Sequence, residues 1–476
     1  MTPMKTNPAL YCFALLILLS TACQTENKEK VDLAITNANV IHLETGEVEV
    51  QDIYILNGKI KAIKTAKSEQ AFEVDSTIDA TGKYVLPGFW DNHIHLRGGD
   101  SLIANNKNFL KLFIANGVTT VRDAGGDLTP SVMDWKSQIA EEKLVGPTIF
   151  TAGPKIDGPN SSWAGSLEVQ SDEDVQNALD SLEKLQVDFV KLYDSRISAE
   201  NYLKSIEGAK ERGLVVSGHM PFTVTLGETI EAGMDGIEHL YYIMKGCASN
   251  EEEVTEKMKT GEMGFWGAMP ALMDAYTDSV AQNTFNQLKE NHVFVVPTLH
   301  IGKTLSYLDE VDHSNDPYLK YMGRGLVKTY EGRIRGALNA SEETRESRKQ
   351  LDAFFGKLAK SLDTAGVSLL AGSDCGAFNS YVYPGVSLHK ELEAMVANCI
   401  SPLDALRTSA YHGAQFLKQT EDYGGISEGK VSDLVILEGN PLEDITQTQK
   451  QYSVVKGTQV FSKEQLQQLL DSATLE

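Results

Sequence analysis

The chain has 476 residues, 42% of them hydrophobic and 23% charged, with a formal net charge of −23. That length allows two to four ordinary domains, or one large barrel with an accessory domain, and the hydrophobic content is enough for a sizeable core. The acidity argues against a nucleic-acid-binding surface, which needs a basic patch, and against attraction to anionic membranes.

Met1 to Cys23 contains Lys5, an apolar run from Ala9 to Leu19, and the small residues Ser20-Thr21-Ala22 before Cys23. This pattern predicts a secretory signal peptide over 1–23, with an apolar part too short to span a bilayer. A cysteine directly after small residues resembles a bacterial lipoprotein signal, departing from it at Ser20, where leucine is commonest. The resemblance implies lipidation at Cys23, with 24–30 as a polar tether. An ordinary cleaved signal is the alternative. The expectation is therefore an exported bacterial protein of the periplasm or cell envelope, held to a membrane only through the lipid. No later segment is apolar and long enough to cross a membrane. Cys247, Cys375 and Cys399 are too widely spaced for a disulfide framework or a zinc finger, and are expected as core or loop thiols.

From Val31 to Lys83 run short β segments with turn signals, including the hairpin pair Asn57-Gly58. The same texture returns at Ser432–Leu437 and Tyr452–Val455. One small β-sandwich built from both ends, 31–85 plus 424–465, accounts for this; separate terminal domains are the competing reading. Between them, 86–423 alternates strand and helix. Strands are predicted at Pro87–Leu96, Val118–Arg122, Thr148–Ala152, Asp188–Tyr193, Leu214–His219, Gly236–Leu240, Val293–Leu299 and Val367–Ser373, with helices such as Asp172–Leu185 and Ala199–Arg212. Eight such strands fit an α/β fold of the (β/α)8 (TIM) barrel type. A doubly wound sheet is the alternative, but the first turn lacks a Gly-rich phosphate loop. Two connections are long. The one after strand six holds Phe265-Trp266 and a helix over Ala271–Glu290; the one after strand seven is polar and helical from about 306 to 365. Such insertions tend to shape the mouth of a pocket.

Active groups in barrels of this kind sit at the C-terminal ends of the strands. Those ends carry His93 and His95, then Lys191, His219, His239 and Asp374. On a strand, alternate residues share a side, so His93 and His95 point together while Ile94 points away. Two imidazoles side by side make half of a divalent-metal site, or else a hydrogen-bonded pair beside the core. Four histidines, a lysine and an aspartate on one rim are hard to explain as packing.

From Val31 to about Phe461 the chain resembles the amidohydrolase superfamily, in its binuclear branch with a carboxylated lysine. Within that branch it is most similar to the imidazolonepropionase-like group, which includes Xaa-Pro dipeptidases. The resemblance includes the Asp79–Lys83 lead-in and the Glu428–Leu434 return. It implies that His93, His95 and Asp374 hold one metal, that His219 and His239 hold the other, and that carbamylated Lys191 bridges them. A carbamate is anionic and bidentate, whereas a free ammonium would repel both cations. Zinc is the default metal for such a donor set. A metal-bridging hydroxide would attack the substrate carbonyl, and Asp374 would move the proton to the leaving amine. Mononuclear deaminases of the superfamily place a glutamate three residues after the strand-five histidine; here that residue is Phe222, which disfavours deamination. His219 is followed by Met-Pro, where the dipeptidase members have more polar neighbours.

Tyr193, two residues beyond Lys191, is a candidate for a substrate carboxylate or oxyanion. His300 and Tyr241 are candidate pocket residues, and Trp163 lies in a Gly/Pro/Ser-rich loop, 153–166, expected as a flexible cover. Arg122 and Asp123 are expected to form a structural ion pair. The resulting expectation is hydrolysis of a small-molecule amide, a dipeptide or N-acyl amino acid. Hydrolysis of cyclic amides, lactones or related esters is the alternative, and a non-catalytic binding protein the third reading. The resemblance leaves self-association open.

Overall fold

Alternating apolar residues in the first strand decide how the two ends of the chain are used. In the strand Glu29–Ile41, Leu33 and Ile35 pack with Ile53, Ile55 and Ile60, whereas Ala34 packs with Tyr54, Ala62 and Phe72. A period of two therefore gives one sheet two buried faces. The computed structural model describes residues 29–66 and 72–475, so the expected signal peptide, Cys23 and residues 24–28 of the expected tether lie outside it. Glu29 and Lys30, assigned to that tether from sequence, instead begin the first strand, because both pair with Phe72 and Glu73 of a parallel neighbour.

The terminal β structure is one eight-stranded ladder. Gln459–Ser462, Gln451–Lys456, Leu434–Leu437, Tyr84–Pro87, Glu29–Ile41, Val48–Leu56 and Lys59–Thr65 lie side by side, and Phe72–Asp79 pairs in parallel with the first half of Glu29–Ile41. Asn57 and Gly58 both adopt positive φ, 52° and 72°, as the two-residue turn between Val48–Leu56 and Lys59–Thr65 requires. Gly88 carries the chain from this sheet into the barrel; a Cβ there would lie 2.2 Å from Thr119 Oγ1, so no side chain fits. A helix not anticipated from sequence, Lys463–Ser472, closes the described chain behind a Ser462 capping box and packs on the helix Ile103–Ala115.

The barrel strands are parallel and form two arcs. The first, second and third strands are Phe89–Ile94, Val118–Asp123 and Thr148–Thr151; the fourth to seventh are Val190–Leu192, Val216–Gly218, Gly236–Glu238 and Phe294–Val296. Between the arcs, Asp188 N–H donates to the Thr151 carbonyl at 2.9 Å. The eighth segment makes only isolated parallel bridges, Leu369 to Val295 and Cys375 to Ile94, instead of the expected strand over Val367–Ser373. The reason is local: the Asp91 carboxylate accepts from both the backbone and the hydroxyl of Ser373, and Asp374 turns to φ 55°. Side-chain bonds thus replace ladder bonds where the last site residue leaves the barrel.

The helices Asp172–Leu185 and Ala199–Glu211 follow the expected pattern, capped by Ser171 and Ser198. The helix expected over Ala271–Glu290 divides into Phe265–Asp274 and Asp278–Glu290, the second begun by Thr277, whose side chain accepts from Val280 N–H. After the seventh strand come Leu299–Ser306 and, further on, the long helix Glu342–Ala365. Among the described residues no helix is long and apolar enough to cross a membrane. Cys247 and Cys375 are buried, Cys399 is exposed, and all three are free thiols.

Candidate metal centre

Four imidazoles cluster at one end of the barrel, and each has its Nδ1 engaged outside the cluster. His93 Nδ1 lies 2.6 Å from Glu238 Oε2, His95 Nδ1 3.0 Å from the Gly125 carbonyl, His219 Nδ1 2.9 Å from Asp194 Oδ1 and His239 Nδ1 2.7 Å from the Thr298 hydroxyl. Carboxylates and carbonyls only accept, so the Nδ1 atoms of His93, His95 and His219 donate. That leaves a lone pair on each Nε2, the arrangement usual around metal-binding histidines. Burial holds His93 and His95 well below the usual imidazole range and lowers His239 to about 4, so all three are neutral donors.

The free nitrogens then face one another. His93 Nε2 and His95 Nε2 are 3.3 Å apart, and Asp374 Oδ1 lies 3.6 Å from the first and 3.3 Å from the second. These three donor atoms sit within 4.8 Å of one another. Asp374 Oδ2 reaches His239 Nε2 at 4.0 Å, and the His219 and His239 rings are 4.9 Å apart. Lone pairs gathered this closely without a donor between them repel, and a cation relieves that repulsion. The residues present therefore fit a divalent metal.

Lys191 stands behind this group. Its Nζ is fully buried with no hydrogen-bond partner, and the nearest carboxylate oxygen, Glu238 Oε1, is 3.6 Å away. Burial lowers it to about 8, and its charge is felt at His93, His95 and His239. The two aspartates near it in sequence are occupied elsewhere, Asp188 by Lys136 and Asp194 by His219 and Tyr242. An orphaned amine of this kind fits conversion to a carbamate, which would bring its own acceptor oxygens to the cations.

Residues that sequence reasoning passed over hold the others in place. Glu238, one position before His239, accepts from His93 Nδ1, from the Ser217 hydroxyl at 2.6 Å, and from Arg122 at 3.0 Å. The Arg122–Asp123 pair expected from sequence does not form. Neighbours on a strand point to opposite sides, so Arg122 reaches Glu238 while Asp123 accepts from Leu96 N–H and the Thr151 hydroxyl. Asn379 donates to Asp374 Oδ1 at 2.8 Å and is itself bound by Arg333 at 3.0 Å. Burial opposes the Asp374 carboxylate, but the positive charges of Arg97 and Arg333 help to outweigh it and its pKa stays below the ordinary value.

A cavity of about 560 Å³ opens over His95, His219, His239 and Asp374. Tyr193, Trp163 and Tyr241 line it, with the Tyr193 ring 4.3 Å from His219. Arg97 was missed from sequence although it continues the 93, 95 alternation; it also lines the cavity, with its guanidinium 3.9 Å over the Trp163 ring. Lys155 lies behind it, buried and without a hydrogen-bond partner, 4.9 Å from the Trp163 ring and 5.0 Å from the Tyr193 ring. His300 does not line the cavity: a helix starts at Leu299, and rotation around it presents Ile301, Gly302 and Leu305 instead. The loop holding Trp163 is tied down, since Asp157 accepts from Gly158, Arg196 and Ile197 N–H and from the hydroxyls of Ser161 and Ser195.

Fold and donor set together define an α/β barrel with a candidate metal centre at its rim. A profile of the amidohydrolase family matches residues 84–460, and the chain belongs to that family. It is 33% identical over 97 residues to an adenine deaminase of Listeria welshimeri and 26% identical over 237 residues to one of Clostridium acetobutylicum. Those stretches are 20% and 49% of this chain, and only 15% and 39% of the two deaminases. Among solved structures, the fold is similar to bottromycin amidohydrolase (TM-score 0.74, 21% identity, 93% of this chain and 91% of that one). It is also similar to a Xaa-Pro dipeptidase with bound methionine (TM-score 0.66, 20% identity, 90% and 99%) and to A. niger ochratoxinase (TM-score 0.66, 18% identity, 91% and 96%).

Proposed function

We propose that the protein hydrolyses the amide bond of a small molecule, a dipeptide or an N-acyl amino acid. In this reading His93, His95 and Asp374 would hold one divalent cation, His219 and His239 a second, and Lys191, once carboxylated, would add its oxygens to the donor set. One observation carries it: with Nδ1 tied outward, the Nε2 atoms of His93, His95 and His239 gather beside the Asp374 carboxylate, near His219 and a buried amine that has no hydrogen-bond partner. Zinc suits so imidazole-rich a set. Bound there, two divalent cations supply Lewis acidity toward a carbonyl and activate water near neutral pH.

The chain's own groups do the rest. Asp374, steadied by Asn379, accepts the proton of the attacking water at a carboxylate oxygen and returns it to the leaving nitrogen. Arg97 offers a charged anchor for a substrate carboxylate at the cavity wall, and Trp163 and Tyr193 shield the reacting end from water. The test is a library of dipeptides and N-acyl amino acids presented to protein prepared with zinc and bicarbonate, alongside Asp374→Asn. The expected result is amino-acid release by the wild type and a kcat lower by about 10²–10⁴ in the variant. No release from any member by fully metal-loaded protein overturns the reading.

Export through residues 1–23 and a lipid on Cys23 belong to the same proposal. Membrane fractionation of the wild type against Cys23→Ser tests them, and equal membrane association of the two sinks the anchor.

A further inference from the structure

Beyond the histidine-lined chamber lies a second cavity of about 210 Å³. The two share a wall: Tyr241, Trp266, Gly302, Leu305, Arg333 and Phe355 line both. That wall comes mainly from the long connections after the sixth and seventh strands, through the helices Phe265–Asp274, Leu299–Ser306 and Glu342–Ala365. Its frame is aromatic. The Tyr241 ring stands 5.4 Å from Phe265, 5.9 Å from Trp266 and 5.0 Å from Phe355, the last two edge to face. Trp266 is nonetheless 61% exposed, with much of its apolar surface uncovered. An apolar cavity of roughly 150 Å³ holds a benzene ring, so a ring fits here with room to enter. Arg348 and Asp352 also line the outer cavity. A guanidinium sits well against an aromatic face and gains nothing from a saturated chain, which favours an aryl occupant.

We propose that this outer cavity is a subsite for an aryl group at the end of the substrate opposite its carboxylate. The substrate class is then the arylacyl amino acids, with the scissile amide between Arg97 and the aromatic wall. The proposal rests on the hydrolase reading above and names the substrate that reading leaves open.

The test uses the full-length metal-loaded protein and two pairs of compounds. Binding is measured by calorimetry with the ketone isosteres of phenylacetylglycine and acetylglycine, in which a methylene replaces the amide nitrogen. Turnover is measured with the two amides themselves. The aryl isostere is expected to bind about 30-fold more tightly, from burial of the ring. Leu308→Trp and Gly336→Phe, at positions that line the outer cavity but not the chamber, are each expected to reduce that preference below about threefold. Two variants are used so that misfolding of one does not decide the outcome. Equal binding of the two isosteres by the wild type overturns the subsite, as does an unchanged preference in both filled variants. An aryl preference in binding without hydrolysis of either amide supports the subsite and overturns the arylacyl amino acids as substrates. Hydrolysis of both amides at equal kcat/KM does the reverse.

Discussion

Glu238 accepts a hydrogen bond from Nδ1 of His93 at 2.6 Å across the barrel interior, and both side chains are fully buried. The same carboxylate is the ion-pair partner of Arg122, so one acid orients an imidazole and neutralises a buried guanidinium.

Glu238→Gln is therefore expected to act twice. Loss of the acceptor charge behind His93 lowers metal affinity by about 10–100-fold, read by competition with a chelator. Leaving Arg122 unpaired in the interior costs roughly 3–5 kcal/mol of stability by denaturant titration. Unchanged chelator resistance in a folded variant contradicts the orienting role.

Lys191→Ala removes the orphaned amine without touching an imidazole. Metal affinity is expected to fall by roughly 100-fold and amide turnover with it. Short carboxylic acids such as acetate, added at high concentration, are expected to restore part of both. Full metal content and full turnover in the variant would remove the bridging role.

Glu391 gives a pH signature away from the metal donors. Its carboxylate accepts from the N–H groups of Leu299 and His300, next to the Thr298 that holds His239. Burial, helped by Asp91, outweighs those two bonds and pushes it up to about 8. The folded state therefore keeps a proton that the unfolded chain releases near pH 4.5. Its contribution is complete below that pH and is lost as the pH rises to about 8, at roughly 1.4 kcal/mol per pH unit. The stability of wild type minus Glu391→Gln should fall across this window in chemical denaturation. A flat difference refutes the assignment.

Adenine is not an expected substrate despite the partial similarity to adenine deaminases. Phe222, three residues after His219, is buried with its ring 4.8 Å from Phe265 and 5.9 Å from Tyr242, and it has no proton to give. Ammonia release from adenine by metal-loaded protein, at a rate comparable with amide turnover, would refute this.

What could be read from the sequence was whatever depends on period and strand end. His93 and His95 follow the two-residue alternation, and Lys191, His219, His239 and Asp374 each lie at or just past the end of an apolar run. What could not be read depends on contacts between distant segments. Glu238 looks like one more residue of its strand until the fold puts Arg122 and His93 beside it. His300 looked like a strand-end residue, but its strand stops at Val296 and a helix begins at Leu299. Asp91 and Ser373 are about 280 residues apart, so nothing local foretold that their bonds would replace the eighth strand's ladder.

Tyr84–Pro87 is hydrogen-bonded on one side to Glu29–Ile41 and on the other to Leu434–Leu437, some 350 residues later. At about 5–20 residues per second, a ribosome takes roughly 20–70 s to deliver the second partner. For that time the edge of Tyr84–Pro87, which leads straight into His93, is uncovered. Assembly of the nascent chain is thus finished from its tail, and a chain stalled before residue 434 should be a client for chaperones.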